Sequence, residues 1–141
     1  MSWLLDTNVV SEWTKPRPDP AVAGFLASAD EDALFLSVVA LAELRRGVDR
    51  LPSGRRRNAL DEWLENDLLL RFEGRILVID VAVAAAWGRI MARTERRGHT
   101  PGVMDVWIAA IAEVHGMTLV TRDAGDFVPL LDDVLNPWDA V

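Results

Sequence analysis

With 141 residues, half of them apolar and 26% charged, the chain has the composition of one globular domain spanning 1–141, with enough apolar residues for a sizeable core; this excludes a disordered chain. It has no cysteine, which excludes disulfide stapling and thiolate zinc ligation and accords with a reducing cytoplasm, the expected location. A net charge of −7 argues against gripping nucleic acid by bulk electrostatics, and no stretch of 18 apolar residues or basic leader is present, so neither a membrane span nor an export signal is predicted.

Trp3-Leu4-Leu5 reads as a buried strand running into the turn-forming Asp6-Thr7-Asn8, and a helix is expected from about Val9. The prolines at 16, 18 and 20 mark a connection before a helix over Ala21–Ala29 and an acidic turn, Asp30-Glu31-Asp32. Ala33 to Leu36 supplies a second strand. Ser37 then caps a helix whose Leu41, Leu44, Val48 and Leu51 form an amphipathic stripe. A further helix is predicted over Arg55–Leu69, with Leu60, Trp63, Leu64 and Leu68 inward, followed by a strand at Ile76-Leu77-Val78-Ile79. Ala82–Arg97 is helical, and Val106–Val114 is the most apolar helix. Strands at Thr118-Leu119-Val120 and near Val134-Leu135 complete the pattern. Strands alternating with helices predict an α/β fold with a central parallel sheet covered on both faces.

In such sheets ligands bind beyond the carboxyl ends of the strands, where strand order reverses. Asp6 follows the first strand and Asp123 the fourth, while Glu43 and Asp105 lie near the starts of helices that point to the same edge. Each also has a structural reading. Asp6, Asp105 and Asp123 suit turn or helix-cap positions, and Glu43 shares a helix face with Arg46 and Arg50, so it suits an intrahelical ion pair. Asp105, however, sits on a helix that is apolar on all sides, a costly place for a carboxylate without a cation. Four carboxylates meeting at one edge would repel one another unless a divalent ion joined them, and an oxygen-only donor set favours Mg²⁺ or Mn²⁺. The implied chemistry is water attacking a phosphodiester.

Charge is unevenly spread. Arg45 to Arg97 holds 12 of the 15 basic residues against 8 acidic ones, so this segment is +4 and the remainder −11. Such a segment, with Arg55-Arg56-Arg57 in it, suits contact with a phosphate backbone or an acidic partner, and solvated helix faces explain it equally well. Trp3, Trp63, Trp87 and Trp107 follow apolar periodicities and read as core or interface. His99 and His115, beside glycines, read as exposed.

Leu5-Asp6-Thr7-Asn8-Val9-Val10-Ser11-Glu12, Ser37-Val38-Val39-Ala40-Leu41-Ala42-Glu43-Leu44-Arg45-Arg46-Gly47, Asp105-Val106-Trp107-Ile108-Ala109-Ala110 and Thr121-Arg122-Asp123-Ala124-Gly125-Asp126-Phe127 together resemble the motifs of PIN-domain ribonucleases. With Asn136-Pro137-Trp138, the resemblance is to the toxin halves of VapBC-type, FitB-like toxin–antitoxin pairs, and it spans nearly the whole chain. It implies a three-layer α/β/α fold and a Mg²⁺- or Mn²⁺-dependent endoribonuclease. It further implies Asp6 and Asp105 as primary metal ligands, Glu43 and Asp123 as further acidic ligands or water-orienting bases, and Thr7 or Thr121 as supporting hydroxyls. A homodimer and a VapB-like antitoxin that blocks the site are also implied, with DNA met only through the antitoxin. Many relatives carry Asn at the position of Asp123 and the acid at that of Asp126, so both are candidates for the fourth acid. Two rivals remain. A haloacid dehalogenase-like phosphatase wants a second Asp where this chain has Asn8 and a lysine where only Lys15 is present; a non-catalytic PIN-like binding module would keep the acids for a structural role.

Overall fold

In a computed structural model that describes residues 1–139, the short apolar runs do become strands. They are β1 (Trp3–Leu5), β2 (Leu34–Ser37), β3 (Ile76–Leu77), β4 (Thr118–Val120) and β5 (Val134–Leu135), all parallel in the order β3-β2-β1-β4-β5. Alternation along the strands divides the core into two layers. Leu4 and Leu119 enter one cluster with Val83, Ile90 and Ile111, while their neighbours Leu5 and Val120 enter the other with Val9, Leu44 and Phe72. Both faces of the sheet are therefore covered, which gives the expected three-layer α/β/α arrangement.

The helices start where their caps dictate. α1 (Thr7–Val10) is capped by the Asp6 carboxylate and runs into a 3₁₀ turn, Ser11–Thr14. It therefore begins two residues before the expected Val9, because the backbone amide of Thr7 bonds Asp6 at once. α2 (Pro20–Ser28) has proline in its first turn and Asp19 accepting from the amides of Ala21 and Val22. Ser37 Oγ accepts the Ala40 amide at 3.0 Å and starts α3 (Val38–Asp49), as its position predicted. The following helix is composite: α4 (Arg55–Glu62), a π-helical stretch (Trp63–Leu68) and α5 (Leu69–Arg71), with Leu64 and Leu68 buried. α6 (Val81–Arg96) is capped by Asp80.

α7 (Val103–His115) starts three residues earlier than expected, so Asp105 lies inside its first turn and does not cap it; Gly102 holds the cap position. It ends at Gly116, whose φ of 63° is the left-handed conformation that a side chain disfavours. α8 (Ala124–Phe127) follows β4. β3 is only half as long as Ile76–Ile79 predicted. It lies at the sheet edge with one neighbour, and Val78 and Ile79 beyond it are exposed. The chain builds outward from β1 to β2 and β3, then returns to β1's other side with β4 and β5. The strand order thus reverses between β1 and β4, and a crevice is expected at their carboxyl ends.

Candidate active site

Asp6 leaves β1 at this crevice and is buried, with 6% of its surface exposed. Its backbone amide is tied to Val120 O of β4 at 2.9 Å, which fixes the two strand ends side by side. One carboxylate oxygen accepts the Thr7 amide at 2.8 Å, and the other accepts the Thr121 hydroxyl at 2.7 Å. Asp6 is thus a helix cap and also the innermost acid of the cluster. The Thr7 hydroxyl donates to Glu43 Oε1 at 3.2 Å, which draws α3 to the same place. From β4, Thr121 Oγ1 accepts the Asp123 amide at 3.0 Å, and Asp123 Oδ2 accepts the Asn8 side-chain amide at 3.2 Å. Asp123 makes no capping bond to α8.

Asp105 lies in the first turn of α7, which packs against α3 and α8, the helices that carry Glu43 and Asp126. Burial pushes the Asp105 carboxyl above its ordinary range, and the negative charges of Asp6, Asp126 and Asp123 push it further. Glu43 is raised by burial and then by Asp6, with the Thr7 hydroxyl pulling the other way and Asp105 adding to the rise. Asp6 is raised chiefly by burial; the bonds from Thr121 and Thr7 oppose this, and Asp123 reinforces it. The carboxylates of four distant segments therefore feel one another, and no ion pair with Lys, Arg or His relieves any of them among the described residues. The ion pair foreseen between Glu43 and Arg46 or Arg50 does not form, because Glu43 turns to Thr7 and Asp6.

This donor set fits a hard divalent cation. Among the described residues no three acidic side chains are grouped tightly enough to hold an ion by themselves. Mg²⁺ needs only one or two carboxylates and completes its shell with waters and phosphate oxygens, so such a looser donor set is compatible with it. Asp6 is the most constrained acid, while Glu43 and Asp105 are half-buried and Asp123 and Asp126 exposed. Asp123 bears on both Asp6 and Asp105, whereas Asp126 bears on Asp105.

Two polar residues in this network had no assigned role in the sequence. Asn8 donates to Asp123 and accepts the Arg122 amide at 3.2 Å. Asn136 donates to the Arg122 carbonyl and accepts the Trp138 amide, at 3.3 and 2.9 Å. Only the Asp-Thr-Asn and Asn-Pro-Trp motifs signalled them. From the basic segment 45–97, Arg56 lines the groove that also holds Thr7 and Glu43, while several other arginines are engaged away from the site. Arg45 is engaged by Asp49, Asp61 and Glu65, Arg71 by Glu31, and Arg93 by Glu113, so these guanidiniums fasten helices together. Trp87 and Trp107 stack on each other with ring centroids 5.2 Å apart, and His99 and His115 are exposed, as expected.

The PIN domain family model matches residues 3–128. Toxin FitB of Neisseria gonorrhoeae is 42% identical over 135 residues, covering 96% of this chain and 97% of that protein. VapC ribonuclease Y4jK of Sinorhizobium fredii is 37% identical over 136 residues, covering 96% and 97%. Among solved structures, FitAcB from Neisseria gonorrhoeae superposes with a TM-score of 0.91 at 41% identity, covering 97% of this chain and 99% of that one. A family match over most of the length, with the fold and motif order to go with it, shows that this chain belongs to the PIN domain family.

Proposed function

We propose that the chain is a Mg²⁺- or Mn²⁺-dependent endoribonuclease, the toxin of a toxin–antitoxin pair, with Asp6, Glu43, Asp105 and Asp123 as its working acids. The observation that carries this is the gathering of unneutralised carboxylates at the reversal point of the sheet, around the buried and doubly hydrogen-bonded Asp6. A divalent ion bound there would supply Lewis acidity and a more acidic water. Asp6 and Asp105 are the first ligands, and the Thr7 amide and Thr121 hydroxyl fix the Asp6 oxygens in place. Glu43, raised by burial and by Asp6, suits accepting a proton from the attacking water. Asp123 is favoured over Asp126 as the fourth acid, because it acts on Asp6 as well as Asp105 and is held by Asn8.

The names of the relatives, a toxin and a ribonuclease, support the same reading. So does a solved FitAB assembly bound to DNA, with a TM-score of 0.92 at 40% identity, which fits an antitoxin partner that carries the DNA contact. Beside the acids, a cavity of about 410 Å³ runs from Thr7 and Glu43 to Leu51, Leu60 and Trp63; it is a mostly apolar groove suited to an antitoxin segment. A homodimer is supported by exposed Val103, whose carbonyl accepts the Trp87 indole N–H, and by exposed Met104 next to it, beside the Trp87–Trp107 stack.

Purified protein is expected to cut RNA in Mn²⁺ or Mg²⁺, to stop in EDTA, and to resume when metal is restored. Cleavage that persists in EDTA would rule out the metal-dependent reading. Replacing Thr121 by Val removes the 2.7 Å donor from Asp6 while preserving side-chain volume. An activity loss of about 10–100-fold is expected, with the Mn²⁺ requirement shifted to higher concentration. A wild-type metal titration for Thr121→Val would show that this hydroxyl does not support the ligand.

A further inference from the structure

Of the 15 basic residues, three lie outside the segment 45–97: Lys15, Arg17 and Arg122. The fold brings all three together. With Trp138 they wall a cleft of about 510 Å³, formed where the proline-rich connection before α2 meets the end of β4 and the C-terminal turn. Arg122 stands in the chain between Thr121, the donor to Asp6, and Asp123, so the backbone that carries two residues of the acid network also carries one wall of the cleft, although none of the four acids lines it. Lys15 lines this cleft and also the groove that contains Thr7 and Glu43, and the two cavities therefore share a wall.

The two acids of the cleft are already engaged. Glu12 is buried, accepts the Asp19 amide at 2.9 Å and forms an ion pair with Lys15, while Asp19 is turned onto the first turn of α2. Arg17 and Arg122 form no ion pair with any described residue. The Arg122 guanidinium lies 5.2 Å from the centre of the Trp138 ring, and both backbones are tied to Asn136. Free guanidiniums beside an aromatic ring match a nucleotide, with phosphate oxygens for the cations and a base face for the ring and the guanidinium plane.

We propose that this cleft is a subsite for single-stranded RNA flanking the scissile phosphate, with Arg17 and Arg122 on the backbone, Lys15 at the cleft wall beside its partner Glu12, and Trp138 against a base. The proposal rests on the ribonuclease reading of the neighbouring acids. It also explains how a protein of net charge −7 engages a polyanion, by a short cationic track along one side of the acidic crevice.

The test compares wild type with Arg17→Ala/Arg122→Ala in steady-state cleavage of a short fluorescent single-stranded RNA with Mn²⁺, across a salt series. The double variant is expected to raise KM about tenfold with kcat little changed, and the slope of log kcat/KM against log salt should fall by about 0.7 for each phosphate left without its cation. Trp138→Leu should raise KM as well, and Trp138→Phe, which keeps a ring, should restore it. Lys15 is the sole lysine, so its acylation read by mass spectrometry should slow when RNA is added with Ca²⁺ in place of Mn²⁺. If wild type cleaves RNA but the double variant retains its KM and salt slope, the subsite is wrong while the nuclease reading stands, even if antitoxin binding by that variant is weakened. If wild type cleaves no RNA, the nuclease reading itself fails.

Discussion

Asp6→Asn is expected to lower RNA cleavage at least about a hundredfold without unfolding the protein. The substitution keeps the shape of the side chain and leaves one oxygen to accept from Thr7 or Thr121, so the link between β1 and β4 survives. It removes the charge at the centre of the cluster. That charge is costly in the metal-free protein, because burial holds the Asp6 carboxyl above its ordinary range and Asp6 in turn lifts both Glu43 and Asp105. The metal-free variant should therefore melt no lower than wild type at neutral pH, and higher if repulsion dominates the lost hydrogen-bond strength. Asp105→Asn should behave alike, with a smaller thermal gain because Asp105 is less buried. Circular dichroism melts together with RNA cleavage rates check both arms. Cleavage within a few-fold of wild type by folded Asp6→Asn would remove Asp6 from the chemistry and leave it a helix cap.

That double duty explains what the sequence could and could not disclose. Periodicity and turn residues located all five strands, because each is a short apolar run; the central β1, β2 and β4 are largely buried, whereas the edge strands β3 and β5 are only half-buried. The carboxylates that follow β1 and β4 were legible for the same reason, since a residue after a parallel strand sits at the ligand edge. Capping roles were harder to read. Asp6 caps α1, whereas Asp105 and Asp123, equally plausible caps, make no capping bond. The difference depends on where a loop enters its helix, and α7 begins three residues early because Pro101 and Gly102 set its entry. Cation placement was the least legible feature. A charge count picks out residues 45–97, yet tertiary contacts commit several of those arginines to salt bridges and gather Lys15, Arg17 and Arg122 from distant segments beside the site.

Mn²⁺ is expected to raise the melting temperature of the wild-type protein, and to raise it more at neutral pH than near about pH 5. At a metal concentration of about a hundred times Kd, preferential binding to the folded state contributes roughly 2.7 kcal/mol. The pH dependence follows from the direction of each shift. Asp6, Glu43 and Asp105 titrate above their ordinary range in the fold, so as pH rises the unfolded chain ionises first. Their contribution to stability is fully present below the ordinary carboxylate range and is lost as pH climbs through the raised values. Glu12 and Glu31 act in the opposite sense. Burial works against Glu12, but Lys15, the Asp19 amide and Arg122 outweigh it, and Arg71 holds Glu31 down. Stability from these two is present above the ordinary range and is lost as pH falls through their lowered values. Metal-free protein should therefore be most stable on the acid side of neutrality, above the range where Glu12 and Glu31 protonate. Added Mn²⁺ should move that optimum toward neutral pH, because protons and metal compete for the same three carboxylates. Thermal scans across pH, with and without saturating Mn²⁺, measure both effects. A metal-induced shift of equal size at every pH would mean that the ion binds elsewhere, and no shift at saturation would leave the cluster without a cation to hold.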